Sequence, residues 1–159
     1  AEKKIMDMIR YPERLTYAGR LDKDSEGLIL LTNDGDLINA MMRGANRHEK
    51  EYIVKTDREI TPDFLQKMAK GIYLKDLDIT TRECEIEQIG KFTFRIVLTQ
   101  GVNRQIRRMC EACGYRVKAL KRIRIMNILL GNLKPGKWRK VTGEELEQLQ
   151  RDTGMLNRN

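Results

Sequence analysis

Apolar positions recur along this chain at two spacings, one of strands and one of helices. Phe92, Phe94, Ile96 and Leu98 alternate with Thr93, Arg95, Val97 and Thr99. Thr81 to Ile89 alternates in the same way, the period of a half-buried strand. Ile89-Gly90-Lys91 between them predicts a turn and hence an antiparallel hairpin. Glu51 to Lys55 reads as a further strand, and the continuous apolar run Leu28 to Thr32 as a buried one. Tyr115 to Leu130 reads as extended and broken into two strands. Helical spacing appears at Leu37, Ala40 and Met41, predicting a helix from about Asp36 to Arg43 after the turn Asn33-Asp34-Gly35. Thr61 caps a helix that runs through Met68 and ends at Gly71. Asn103 opens a helix that Gly114 closes. Thr142 opens the last one, with Glu145 three residues on as in a capping box. Residues 2–10 predict a short amphipathic helix with Ile5, Met6 and Ile9 on its apolar face, stopped by Tyr11-Pro12, and residues 157–159 a loose tail. The sum is an α+β fold: a mostly antiparallel mixed sheet with flanking helices, one domain over residues 1–159.

Charge sharpens the picture. The net charge is +8 over 159 residues, but it is not spread evenly. Gly101 to Lys140 holds twelve Lys/Arg and one acid, Glu111, whereas the rest holds nineteen basic and twenty-two acidic residues. All the excess positive charge therefore lies in one quarter of the chain, as expected of a face that meets a polyanion, most often nucleic acid. No run of about 18 apolar residues exists to cross a membrane. No secretory signal is visible, so the chain reads as cytoplasmic. The three cysteines, Cys84, Cys110 and Cys113, do not suggest a disulfide framework. Cys110-Glu111-Ala112-Cys113 lacks the further ligands a zinc site needs. Ile106, Met109, Cys110 and Cys113 fall on one helical stripe, which reads as core. No metal is expected. Without a G-x-G-x-x-G or P-loop pattern there is no cradle for a nucleotide cofactor, and no cofactor is expected.

The candidate chemistry is concentrated in Ala18-Gly19-Arg20-Leu21-Asp22-Lys23-Asp24-Ser25-Glu26-Gly27-Leu28 and the Ile29-to-Gly35 continuation. A carboxylate, Asp22, stands in a polar loop with glycine on both sides and an apolar strand behind it, a plausible active-site loop. An Asp in such a loop is ordinarily a turn former. The wider context decides otherwise. Gly19-Arg20-Leu21-Asp22 with Ser25-Glu26-Gly27-Leu28, then Lys50-Glu51-Tyr52, then Asn103-Arg104-Gln105-Ile106-Arg107-Arg108-Met109, in that order, resembles the pseudouridine synthases. The branch is the one that modifies ribosomal RNA, and within it the large-subunit (23S) type F. Arg124-Ile125-Met126-Asn127, Gly131 and Gly136-Lys137-Trp138-Arg139 resemble its closing strands.

That resemblance implies an isomerase that converts uridine to pseudouridine in ribosomal RNA, without cofactor or metal. Asp22 is the implied catalytic residue, as a nucleophile at C1′ or as a base on the sugar. Tyr52 is implied to stack on the extruded base, and Arg107 to pair with Asp22. Arg20, Lys50, Asn103, Arg104, Gln105, Arg108, Lys118, Lys121, Arg122 and Arg124 are the candidate RNA contacts. The partner expected is large-subunit (23S) rRNA, bound by a monomer and not by a membrane. The alternative is a ribosome-assembly module that binds RNA on the same fold without chemistry. Members of this branch carry an S4-type RNA-binding module and a Lys-Pro-x-Gly strand upstream, which this sequence lacks, so it reads as a catalytic-domain fragment.

Overall fold

The computed structural model describes residues 15–43 and 48–155. The predicted helix over 2–10 and the tail 157–159 lie outside the described residues. In chain order the elements are β1 (Thr16–Tyr17), β2 (Glu26–Gly27), β3 (Leu31–Thr32), α1 (Gly35–Arg43), β4 (Lys50–Thr56), α2 (Pro62–Lys70), β5 (Tyr73–Leu74), β6 (Ile79–Thr80), β7 (Glu85–Gly90), β8 (Thr93–Leu98), α3 (Gln105–Ala112), β9 (Val117–Ile125), β10 (Ile128–Leu129) and α4 (Gly143–Asp152). The fold is the expected α+β arrangement.

The main sheet runs β10-β9-β4-β8-β7, antiparallel throughout, with β2 added in parallel to β9. Its centre is the β4–β9 ladder. Lys50 to Thr56 pairs with Ile125 to Val117, with register shifts between Glu51 and Tyr52 and again between Lys55 and Thr56. Such irregularities bend a strand and re-aim its side chains.

Two apolar cores meet along this ladder. Val54, Phe64, Met68, Phe94, Ile96, Ile106, Met109, Cys110 and Leu120 form the first, which joins α2 and α3 to the sheet, with Tyr52 packed against it. Ala18, Leu28, Leu30, Leu37, Met41, Ile125, Ile128 and Leu149 form the second, which joins the 18–30 segment, α1 and α4 to the far end of β9. Cys110 is fully buried and Cys113 half-buried against the first core, on the stripe the sequence spacing predicted. Burial pushes both thiols up, and Cys84 to about 11.

Several boundaries differ from expectation for physical reasons. Leu28 to Thr32 is not one strand, because its backbone changes partners along its length. Leu28 N–H donates to the Arg122 carbonyl on β9 at 2.8 Å, whereas Leu30 accepts from Ala18 N–H at 2.9 Å and Leu31–Thr32 pairs with β1. The strand predicted over Thr81 to Ile89 begins only at Glu85. Upstream of it, Arg82 N–H donates to the Gln100 side chain and Cys84 N–H to the Ala69 carbonyl, which are not ladder partners. The hairpin turn falls at Lys91-Phe92, shifted toward the C-terminus and sharing only Lys91 with the predicted tripeptide. The break within Tyr115 to Leu130 sits at Met126, whose φ of 54° ends β9.

The two predicted threonine caps diverge. Thr61 accepts from Phe64 N–H at 3.1 Å, with Pro62 in the first turn. Thr142 makes no side-chain cap bond, and the capping box is not formed. Its acidic member is engaged elsewhere, since the Glu145 carboxylate is held by both Arg139 terminal nitrogens at 2.7 and 2.8 Å. Thr61→Ala is accordingly expected to cost about 1 kcal/mol in urea unfolding, and Thr142→Ala clearly less, because it removes no cap bond. Equal losses at the two sites would contradict this difference in capping.

Candidate active site

Three elements converge where the two cores meet. The Gly19-to-Leu28 loop leaves the second core at Ala18 and returns to it at Leu28, placing Asp22 at its tip with the carboxylate 38% exposed. The return leg lies tight against β9. Gly27, with φ of 116°, stands opposite Arg122 in register, and a Cβ there would fall 2.2 Å from the Arg122 carbonyl oxygen. Only glycine permits that approach. Ser25 N–H donates to the Asp22 carbonyl at 3.0 Å and closes the loop's own turn.

Tyr52 enters from β4. Its cross-strand neighbour on β9 is Arg122, immediately after the first register shift. The Arg122 guanidinium and the Asp22 carboxylate both act electrostatically on the phenol, and Asp22 acts on the guanidinium as well. Burial raises the Tyr52 pKa above the ordinary value; Arg122 pulls it down and Asp22 pushes it up again. The balance keeps the phenol protonated.

Arg122 itself is 2% exposed, the largest fully buried side chain among the described residues. Its Nε donates to the Leu28 carbonyl at 2.9 Å, Nη1 to the Arg20 carbonyl at 3.3 Å and Nη2 to the Gly19 carbonyl at 3.5 Å. Burial lowers its pKa, and Tyr52 and Asp22 oppose that shift. Arg122, expected as an RNA contact, is instead buried, and its fork faces inward, onto the loop that carries Asp22. A period-two reading of β9 held the signal, because Arg122 shares the inward face of Leu120.

The third element is the start of α3. Arg104, the N-cap in the left-handed conformation with φ of 51°, places both terminal nitrogens on the Asp24 carboxylate at 2.9 and 2.8 Å. It also comes within 3.7 Å of Asp22 Oδ2. Arg107 donates from Nη2 to the Asp24 carbonyl at 2.6 Å and to Ser25 Oγ at 3.2 Å, with its Nε 3.5 Å from Asp24 Oδ2. The expected ion pair of Arg107 with Asp22 is thus not formed. Asp24, two residues on, takes Arg107, and Arg104 is the arginine nearest Asp22. Both arginines of the α3 start meet the loop at Asp24 and Ser25.

The remaining candidates divide by exposure. Arg20, Asn103, Lys118 and Lys121 are exposed, and Arg108 is half-buried and bonded to Asn103. Gln105, expected as an RNA contact, is instead buried, its amide turned to Gln100 and Met109. Lys50 is half-buried, and burial first, then Arg122, lowers its pKa. Arg124 is drawn into ion pairs with Glu51 and Glu49 at 2.7 and 3.1 Å. A separate apolar cavity of about 750 Å³ lies between the 26–34 segment, the 128–141 stretch and α4, and none of Asp22, Tyr52 or Arg107 lines it. No group of three or more His, Cys, Asp or Glu stands close enough to hold a metal ion among the described residues. Among those residues, too, no helix is long and apolar enough to cross a membrane.

Comparison with known proteins places this geometry. Residues 2–112 match the family model for RNA pseudouridylate synthase, and the chain belongs to that family. It is 49% identical over 145 residues to the dual-specificity RNA pseudouridine synthase RluF of Escherichia coli (strain K12), which covers 91% of this chain and 49% of that protein. An uncharacterized RNA pseudouridine synthase of Aquifex aeolicus (strain VF5) is 37% identical over 151 residues, covering 92% of this chain and 62% of its own length. A crystal structure of a pseudouridylate synthase superposes with a TM-score of 0.86 at 30% identity, covering 91% of this chain and 64% of that one. The chain spans about half the length of the RluF relatives it matches.

The Arg104 clamp holds the Asp24 carboxyl down at about 2, against an ordinary 3.8, with Arg107 adding to the effect. Because the folded value lies below the unfolded one, this contact stabilises the fold above about pH 4 and is lost as pH falls through about 2. Asp24 is half exposed, so screening keeps the gain to at most about 1 kcal/mol. A carboxyl ¹³C titration is expected to place the Asp24 midpoint near 2 and to return it toward 3.8 in Arg104→Ala. An unmoved midpoint in that variant would show that the clamp does not form in solution.

Proposed function

We propose that this chain isomerises uridine to pseudouridine in ribosomal RNA, of the large subunit (23S), with Asp22 and Tyr52 as its catalytic residues and Arg107 as an auxiliary one. The observation that carries the reading is the convergence of the Asp22 loop and Tyr52 on one buried arginine, which bonds the loop's carbonyls and is the cross-strand neighbour of Tyr52, in a chain of this family.

The reaction breaks the C1′–N1 bond, turns the base, joins C1′ to C5 and releases the C5 proton while N1 gains one. No electrons are exchanged. A half-exposed carboxylate at a loop tip can reach a sugar carbon, either as the nucleophile at C1′ or as the base that removes a sugar proton. The Tyr52 ring offers a flat apolar face for the base, and its protonated hydroxyl a hydrogen bond beside it. The uridine must leave its stack to reach Asp22. Arg20 stands exposed two residues from Asp22, placed to fill the vacated stack or hold a phosphate. Lys118 and Lys121, exposed on β9, provide phosphate contacts. Arg107 assists by fixing the Asp24-Ser25 turn next to the carboxylate. Domain 1–159 acts as a monomer in the cytoplasm.

The test is to incubate the chain and its Asp22→Asn variant with unmodified large-subunit rRNA and to map pseudouridine by chemical labelling and reverse transcription. A new site made only by the unmutated chain is expected, with RNA affinity equal in both. Tight RNA binding with no pseudouridine formed would favour the non-catalytic module. Lys121→Ala is expected to weaken RNA binding and reduce the salt-dependence slope by about 1. An unchanged slope would remove this face from the interface.

A further inference from the structure

We infer that Arg122 is the positioning residue of this site: its buried guanidinium ties both legs of the Asp22 loop to β9 beside its cross-strand neighbour Tyr52 and so fixes the carboxylate relative to the ring. This rests on the proposed function only for what the positioning serves. The geometry stands by itself.

Three observations carry it. The donors of one side chain reach the carbonyls of Gly19 and Arg20 before Asp22 and of Leu28 after it. The same residue holds the loop through its main chain, since Leu28 N–H donates to its carbonyl and Gly27 stands opposite it in register. And it is the cross-strand neighbour of Tyr52. The loop belongs to one core and Tyr52 packs on the other, so their separation depends on whatever joins them. Arg122, between Leu120 of the first core and Ile125 of the second, is that joint.

A purely structural role fits poorly. Desolvating a guanidinium is costly, and no carboxylate pairs with it directly among the described residues. An apolar side chain would fill the inward face of β9 without that cost, but it would leave the loop carbonyls unbonded. A role in gripping RNA fits no better, because the side chain is buried. The planar fork matters as well as the charge: a lysine carries the cation but cannot span carbonyls on two legs of a loop.

The test compares the unmutated chain with Arg122→Met and Arg122→Lys, by amide hydrogen exchange and by single-turnover pseudouridine formation with RNA affinity measured alongside. In both variants exchange is expected to rise across residues 18–28 while α2 stays protected. The single-turnover rate is expected to fall about 100-fold, the scale of a reacting group displaced by about 1 Å, with RNA affinity unchanged. If Arg122→Met does not fold, Arg122→Lys carries the same comparison. Unaltered exchange over 18–28, exchange raised equally over α2, a loss of RNA affinity with the rate retained, or full rescue by lysine would each overturn the assignment. If the unmutated chain made no pseudouridine, the proposed function would fail, and selective loosening of 18–28 would still establish the tie.

Discussion

The antiparallel pairing of β4 with β9 is the constraint on which the rest of this molecule depends. It joins two apolar cores that otherwise share little, one beneath α2 and α3 and one beneath α1 and α4. The register shift at Glu51/Tyr52 turns Tyr52 toward Arg122, and Arg122 turns toward the loop that carries Asp22. A sheet that slipped by one residue would move each of these side chains to the opposite face. The placement of the site is therefore a consequence of ladder register before it is a property of the loop.

Charge is distributed with the same economy. The basic quarter of the chain does not form a uniform cationic surface. Arg122 is consumed inside the site, Arg124 is neutralised by Glu49 and Glu51, and Arg104 and Arg107 are committed to Asp24. What remains exposed on β9, Lys118 and Lys121, is smaller than the charge count suggests. Asp24 is the counterpart of this arrangement. It occupies two arginines at the mouth of the site with a carboxylate, where a phosphate group offers similar geometry and more charge.

Much of this was legible in the sequence, and the exceptions have physical causes. Periodicity found β4, α2, β8, α3 and the bipartite β9–β10 because each buries one face. It failed at Leu28 to Thr32 because apolar character alone does not reveal that a backbone changes partners midway. The Thr142 capping box failed because Glu145 had a better partner in Arg139, which local spacing cannot show. Residue type alone makes Arg122 a surface contact. Its alternation with Leu120 pointed inward, but a buried arginine is credible only once the carbonyls that satisfy it are known. Arg107 meets Asp24 where the motif points to Asp22, since the two carboxylates flank one turn and spacing along the chain does not distinguish them.

The central claim is that Asp22 and Tyr52, held together across β4 and β9, exchange a C1′–N1 bond for a C1′–C5 bond. Forming the second bond expels the hydrogen at C5 of the target uridine. The most direct measurement is tritium release from ribosomal RNA labelled at C5 of uridine, followed with the unmutated chain and with Asp22→Asn. The account predicts release into water that rises in step with pseudouridine formed, and none above background from the variant. RNA bound by the unmutated chain without tritium release, or equal release by both proteins, would contradict it.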